Sequence, residues 1–182
     1  METPKQNFAN IGSASWTIHA LGTQHDVAYV TTITDLLHRA YGPLGAAGMN
    51  YSAVDQDESE SLNRLRRGVS VVGRIGGVII ATGTVYLEPV RGISETYRAI
   101  DTAHFGQFAV EPALHGRGVG NDMLSRLEAI ARSAGKTFMS CDSAVPARHL
   151  VDYYERRGYR IVERVQWRGK TYQSEILRKR LT

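Results

Sequence analysis

Residues Phe105 to Gly120 read FGQFAVEPALHGRGVG. A short apolar run, Phe105–Val110, meets a turn at Glu111-Pro112 and then His115-Gly116-Arg117-Gly118-Val119-Gly120, where a helical pattern begins. A glycine-rich turn between a strand and a helix N-terminus bares backbone N–H groups at the positive end of the helix dipole. Glycine also lets the backbone come close to a ligand. Together these features make a polyphosphate cradle, with Asn121 as the next exposed amide and Arg117 as a nearby charge. A P-loop would need a lysine and a Ser or Thr after the glycines, and none follows. A dinucleotide turn would read Gly-x-Gly-x-x-Gly. This chain has Gly-x-Gly-x-Gly, one residue short.

The elements that must position this turn follow from periodicity. Trp16–Leu21 alternates as a first strand, and His25–Ala40 has helical spacing, with Asp26 or Thr23 as its cap. Gly42, Pro43, Gly45 and Gly48 predict a loop over Tyr41–Val54. A second helix fits Asp57–Arg67, with Leu62 and Leu65 inward and Gly68 as its C′ residue. Val69–Arg74 and Val78–Leu87 form a hairpin around Gly76-Gly77. After a connection over Glu88–Thr102 comes the Phe105–Val110 strand. Then follow a helix over Gly118–Ala134, a strand over Thr137–Cys141, a helix over Pro146–Arg157, and a closing pair, Tyr159–Val165 and Tyr172–Leu181. The expected fold class is α/β (α+β): a mixed, mostly antiparallel sheet of about seven strands with about four helices. Its strand-helix-strand unit over 105–142 is parallel and right-handed. Residues 1–14 read as a flexible tail and 15–182 as one domain.

The 182 residues suit a single core. A single cysteine, Cys141, rules out an internal disulfide and fits a reducing, cytoplasmic setting. No run approaches the roughly 20 apolar residues of a membrane span, and the N-terminus lacks the pattern of a secretory signal. The net charge of +4 is dispersed among acidic residues, so neither a nucleic-acid partner nor a membrane surface is expected.

The 105–120 stretch resembles the pyrophosphate-binding signature of GNAT-type N-acetyltransferases. His115 stands in that signature's first position, Gly118 and Gly120 in its glycine positions, and Phe108-Ala109-Val110 matches the triplet that ends the preceding strand. Asp152-Tyr153-Tyr154-Glu155-Arg156-Arg157-Gly158-Tyr159 resembles the run that closes the same family's cofactor site. The resemblance spans roughly Trp16–Leu181. It implies a GNAT fold, acetyl-CoA as cosubstrate, no metal, and direct attack of a primary amine in a ternary complex.

By this resemblance, His115, Gly116, Arg117, Gly118, Val119, Gly120 and Asn121 hold the phosphates, and Phe108 and Ala109 pair with the pantetheine arm like an added strand. The Val110 N–H faces the developing oxyanion. Tyr154 sits by the thioester sulfur and protonates the leaving thiolate. Many relatives carry an asparagine where this chain has Ala147, so Ser143 is expected to supply that contact. The general base is open among His104, Glu111 and Asp142, with water as a further route. Asp142 lies at the C-terminal end of its strand, where such sheets place ligands. Tyr51, Asp55, Asp57 and Glu58 border the expected acceptor pocket, but Ser52–Glu60 is read in preference as solvated helix-start chemistry, with acids in the first turn. A small-molecule amine is the expected acceptor. A protein lysine or N-terminus, or a non-catalytic CoA-binding module, are the rivals. Either a monomer or a homodimer fits.

Overall fold

The computed structural model describes residues 16–21 and 26–182. The tail expected over 1–14 and the capping residue Thr23 lie outside the described residues. The chain runs β1 (Thr17–Ala20), α1 (Asp26–Ala46), α2 (Ser52–Asp55), α3 (Glu58–Arg66), β2 (Val69–Ile75), β3 (Val78–Tyr86), α4 (Glu95–Arg98), β4 (Thr102–Val110), α5 (Val119–Ser133), β5 (Phe138–Ala144), α6 (Arg148–Glu155), β6 (Arg160–Val165) and β7 (Ser174–Arg180). The seven strands form one sheet in the order β1-β2-β3-β4-β5-β7-β6. Only β4 and β5 pair in parallel. The expected mixed sheet is therefore observed. Four helices have eight residues or more, and α2 and α4 are single turns.

Strand alternation sends side chains to two covered faces. Val72, Ile79 and Ala109 meet Ile33, Leu36, Leu37 and Leu65 of α1 and α3. Val71, Ile80 and Phe105 meet Met123, Leu127 and Val151 of α5 and α6. The central strands are thus buried on both sides, as their continuous apolar runs require. Glu128 on α5 ties the second layer to β7. It accepts from Lys179 Nζ at 2.8 and 2.9 Å and from the Tyr159 hydroxyl at 3.0 Å.

Two local expectations change. The helix expected to stop at Ala40 continues to Ala46 through Pro43. Proline forfeits one helical hydrogen bond. The extra turn in return buries Leu44 against Met49, Ala144 and Tyr172. Gly48 ends the helix at φ +83°, with Met49 N–H returning to the Leu44 carbonyl at 3.0 Å. Gly45 within this turn gives α2 its seat, since a Cβ there would lie 2.7 Å from Val54 Cγ1.

Gly68 does not take the left-handed C′ conformation expected of it. It is needed for close approach instead, because a Cβ would lie 2.3 Å from the Val85 carbonyl oxygen. Gly68→Ala should therefore push β2 from β3 and cost about 1–3 kcal/mol. Thermal unfolding would read this as a fall in Tm of about 3–10 °C. An unchanged Tm would show that the hairpin gives way freely. The Gly76-Gly77 hairpin turn is as expected, with φ of +54° and +85°.

Candidate active site

A gap in the sheet organises the site. β4 and β5 pair only at Thr102–Phe138, Ala103–Met139 and His104–Ser140. Beyond His104 the strands diverge. A cavity of about 120 Å³ fills the divergence, with Phe105–Phe108 on one side and Cys141, Asp142 and Tyr154 on the other.

A bulge shapes the β4 wall. Thr82 faces Ala109 and Thr84 faces Gly106, so Gln107 and Phe108 together oppose the single residue Gly83. Gln107 takes φ +49°, a strained value for a residue with a side chain. Its buried amide is pinned in place: Nε2 donates to the Ser61 carbonyl at 3.0 Å, and Oε1 accepts from Gln56 Nε2 at 2.8 Å. The extra residue resets the alternation. Phe105 and Val110, five positions apart, both pack on the α5 layer, whereas Ala109 packs on the α1 layer. The Phe108 carbonyl accepts from the Tyr41 hydroxyl at 3.1 Å.

β4 then leads through one 3₁₀ turn, Pro112–Leu114, to the glycine turn. Gly116 and Gly118 have φ of +77° and +93°, and Gly118 is the N-cap of α5. Arg117 N–H donates to the Leu114 carbonyl, and the amides of Asn121 and Asp122 return to the Gly118 carbonyl. The amides of Gly116, Gly118, Val119 and Gly120 take no part in these bonds. Gly120 is also a packing requirement, because a Cβ there would lie 2.9 Å from the Tyr153 hydroxyl. That hydroxyl is buried and has no close hydrogen-bond partner among the described residues. Four amides at a helix N-terminus have the character of an anion seat, suited to a diphosphate.

The cavity carries three charged groups, Asp142, Arg64 and Lys170. Asp142 accepts from the Tyr97 hydroxyl at 3.1 Å, Trp167 Nε1 at 3.1 Å and Ser174 Oγ at 2.9 Å. Tyr154 lies between Phe105 and Tyr159 in edge-to-face contacts, with centroids 5.7 and 5.9 Å away. Burial pushes its phenol well above the ordinary range, with nearby Cys141 adding to the effect. It is therefore protonated at neutral pH and can act as a donor.

Residues 31–159 match the model of the Acetyltransferase (GNAT) family. This chain belongs to the GNAT acetyltransferase family. It is 32% identical over 129 residues to the S-(2-succino)cysteine N-acetyltransferase of Bacillus subtilis (strain 168), covering 70% of this chain and 76% of that protein. Among solved structures, its fold resembles the ribosomal-protein-S18-alanine N-acetyltransferase of Escherichia coli, with TM-score 0.68, 14% identity and coverage of 92% and 95%. It also resembles a GNAT family acetyltransferase of Elizabethkingia anophelis with acetyl-CoA bound, with TM-score 0.62, 16% identity and coverage of 91% and 98%. The chain is thus an acyltransferase enzyme. Among the described residues, no helix is long and apolar enough to cross a membrane, and no group of three metal-ligating side chains occurs.

Within this GNAT domain the expected site residues fall into three groups. Phe108, Asp142 and Tyr154 meet at the cavity. Gly116, Gly118, Val119 and Gly120 form the separate glycine turn at the head of α5. His115 turns its ring back to the Val110 carbonyl, with Nε2 3.1 Å away, and so braces the end of β4. Ser143 is buried with its Oγ 3.4 Å from the Tyr51 hydroxyl.

Two expectations need correction. Asn121 is not a free amide: its N–H bonds the Gly118 carbonyl at 2.9 Å and its side-chain oxygen accepts from Arg157. Glu111 is paired with Arg39 at 2.9 Å. Asp57 takes the helix-start role preferred for it: it is the N-cap of α3, its carboxylate accepting from Glu60 N–H.

His104 is not brought to the cavity, because β4 and β5 are still paired at its position. Its ring stacks between Tyr86 and Tyr97, 4.8 and 4.6 Å away. Burial, aided by Arg67, pushes its imidazole down to about 4. An unfolded imidazole titrates near 6.5. Between pH 6.5 and about 4 the unfolded chain therefore binds the extra proton. This contribution to stability is complete above pH 6.5 and is lost as pH falls to 4, on the order of 3 kcal/mol. His104→Gln should flatten the fall in Tm between pH 7 and 4.5. The same slope in wild type and variant would refute the assignment.

Sequence reasoning missed Gln107, Tyr41, Arg64, Trp167, Lys170 and Tyr172. Gln107 alone carried a signal, since a polar residue sits inside an apolar strand run.

Proposed function

We propose that this GNAT enzyme transfers acetyl from acetyl-CoA to the primary amine of a small molecule, by direct attack. The observation that carries this reading is the continuity of the open β4 edge, which runs from the cavity holding Tyr154 and Asp142 to the free amides at the head of α5. Gly116, Gly118, Val119 and Gly120 would hold the diphosphate. Phe108, Ala109 and Val110 would line the pantetheine arm, with the Val110 N–H toward the thioester oxygen.

Asp142 is the group we assign to draw the proton from the acceptor ammonium, directly or through one water. His104 is too far down the strand for that step. The amine nitrogen then bonds to the acetyl carbon as the carbon–sulfur bond breaks. The Tyr154 phenol gives its proton to the departing thiolate, and the second proton shed by the nitrogen as the amide forms restores the phenol through water. The nearby Cys141 thiol is fully buried and pushed up by that burial, so it is no acyl carrier.

A small acceptor is supported by the small size of the cavity, about 120 Å³, and by the substrate in the name of the Bacillus subtilis relative. The test is calorimetric titration with acetyl-CoA, followed by thiol release with amines that include S-(2-succino)cysteine. Binding of acetyl-CoA with turnover on a small amine is expected. Label from acetyl-CoA that reaches only lysate proteins would overturn the small-molecule reading.

A further inference from the structure

Several cations elsewhere in the molecule are paired with carboxylates. Arg39 meets Glu111, Arg148 and Arg164 meet Glu175, and Lys179 meets Glu128. The two cations of the cavity wall differ. Arg64 Nη1 donates to the side-chain oxygen of Gln56 at 2.7 Å. Lys170 Nζ donates to the Asn50 carbonyl at 2.7 Å and to Ser52 Oγ at 3.1 Å. Among the described residues no carboxylate lies within ion-pair distance of either.

Both are aimed rather than loose. Gln56 is itself buried and locked to Ser61 and Gln107, so Arg64 is held by the same network that fixes the bulge. Lys170 comes from the β6–β7 connection and reaches across to the residues before α2. Burial lowers its pKa, and Arg64 is the next cause, so the two cations feel each other across the cavity. Two positioned cations with no ion-paired carboxylate, and with Asp55 and Asp142 acting on Lys170 only from a distance, leave positive charge unneutralised at a cost in a partly buried site. An anion bound between them would relieve that cost and gain charge-assisted hydrogen bonds.

We infer that the acceptor carries a carboxylate, held by Arg64 and Lys170, which presents its amino group to Asp142. The acceptor is therefore amino-acid-like: an anionic end at the two cations and a basic end at the one cavity carboxylate. Its body would lie among Tyr41, Tyr51 and Tyr172, whose rings contact one another at 5.3 and 4.9 Å. This inference rests on the acetyl-transfer reading, and two separate readouts distinguish their failures.

The first readout is binding of succinate, a dicarboxylate without an amine, to the protein saturated with CoA. Succinate should bind wild type and bind Lys170→Gln at least about tenfold more weakly, the worth of one charge-assisted contact. Affinity for acetyl-CoA should be unchanged in the variant. Lys170 is the residue to replace because its side chain touches only Asn50 and Ser52, whereas Arg64 belongs to a buried network. Near-UV circular dichroism of the variant should match wild type. No binding of succinate, or equal binding by both proteins, overturns the anion site.

The second readout is acetylation of α-amino acids against their α-amides. The acids should be preferred by at least about tenfold in kcat/KM by wild type, and that preference should vanish in Lys170→Gln. Equal use of acid and amide by wild type overturns the inference and leaves acetyl transfer standing. Succinate binding as expected, with no amine of either kind acetylated, upholds the anion site and removes the small-molecule acetyl-transfer reading.

Discussion

Gly118→Glu should abolish acetyl-CoA binding, raising Kd by more than about a hundredfold, or 2.7 kcal/mol. Two effects act together. Gly118 sits at φ +93°, where a residue with a Cβ is strained by roughly 1–2 kcal/mol. More important, Gly118 caps α5, so its side chain would bring a carboxylate to the amides offered to a diphosphate. There is room for the side chain, since the nearest atoms to a Cβ belong to the Trp16 ring at 3.9 and 4.0 Å. The loss would thus come from charge rather than from a crushed turn. Gly118→Asn separates the two effects, because asparagine tolerates the left-handed region and carries no charge. It should keep the fold and lose far less affinity. Calorimetry that finds wild-type affinity in a folded Gly118→Glu protein would remove the phosphates from this turn.

Tyr154→Phe should lower kcat by about 10²–10⁴-fold, the range for a lost general acid, and leave acetyl-CoA affinity nearly unchanged. The ring contacts with Phe105, Tyr153 and Tyr159 survive the substitution, so the packing around it should hold. Because burial raises the Tyr154 pKa, the phenol stays protonated through the alkaline range. Any alkaline fall in wild-type activity below pH 10 must therefore come from another group. A variant with wild-type kcat would take Tyr154 out of proton transfer and leave it as a wall of the cavity.

The parts of this protein legible in its sequence are those set by local physics. The glycines at 116 and 118 announce a turn that needs positive φ, and Gly120 a helix start with room for no side chain. The spacing of Val119, Met123, Leu127 and Ala131 announces a helix with one buried face. Gly76-Gly77 announces a hairpin because its turn requires two left-handed residues. These signals depend on neighbours a few positions apart, and together with the family resemblance they give the order of strands and helices.

Where local signals compete with burial, they mislead. Pro43 reads as a helix end, yet the packing of Leu44 carries α1 another turn. Gly68 reads as a helix cap, yet the Val85 carbonyl is what excludes a side chain there. His104 reads as a base beside the signature, yet the strand pairing that continues through it keeps it from the cavity.

The chemistry of the pocket was decided by tertiary structure alone. Arg64 and Lys170 lie 106 positions apart, and neither belongs to a motif. Sheet topology sets them on one cavity, with no carboxylate at ion-pair distance among the described residues. The divergence of β4 from β5 and the bulge at Gln107 are likewise invisible locally, because each is a relation between strands. By itself the sequence determined the glycine turn at the head of α5 and, through its resemblance, the acyltransferase family. The folded sheet decided which distant charges face an acceptor, because charge complementarity depends on distance in space and not on distance along the chain.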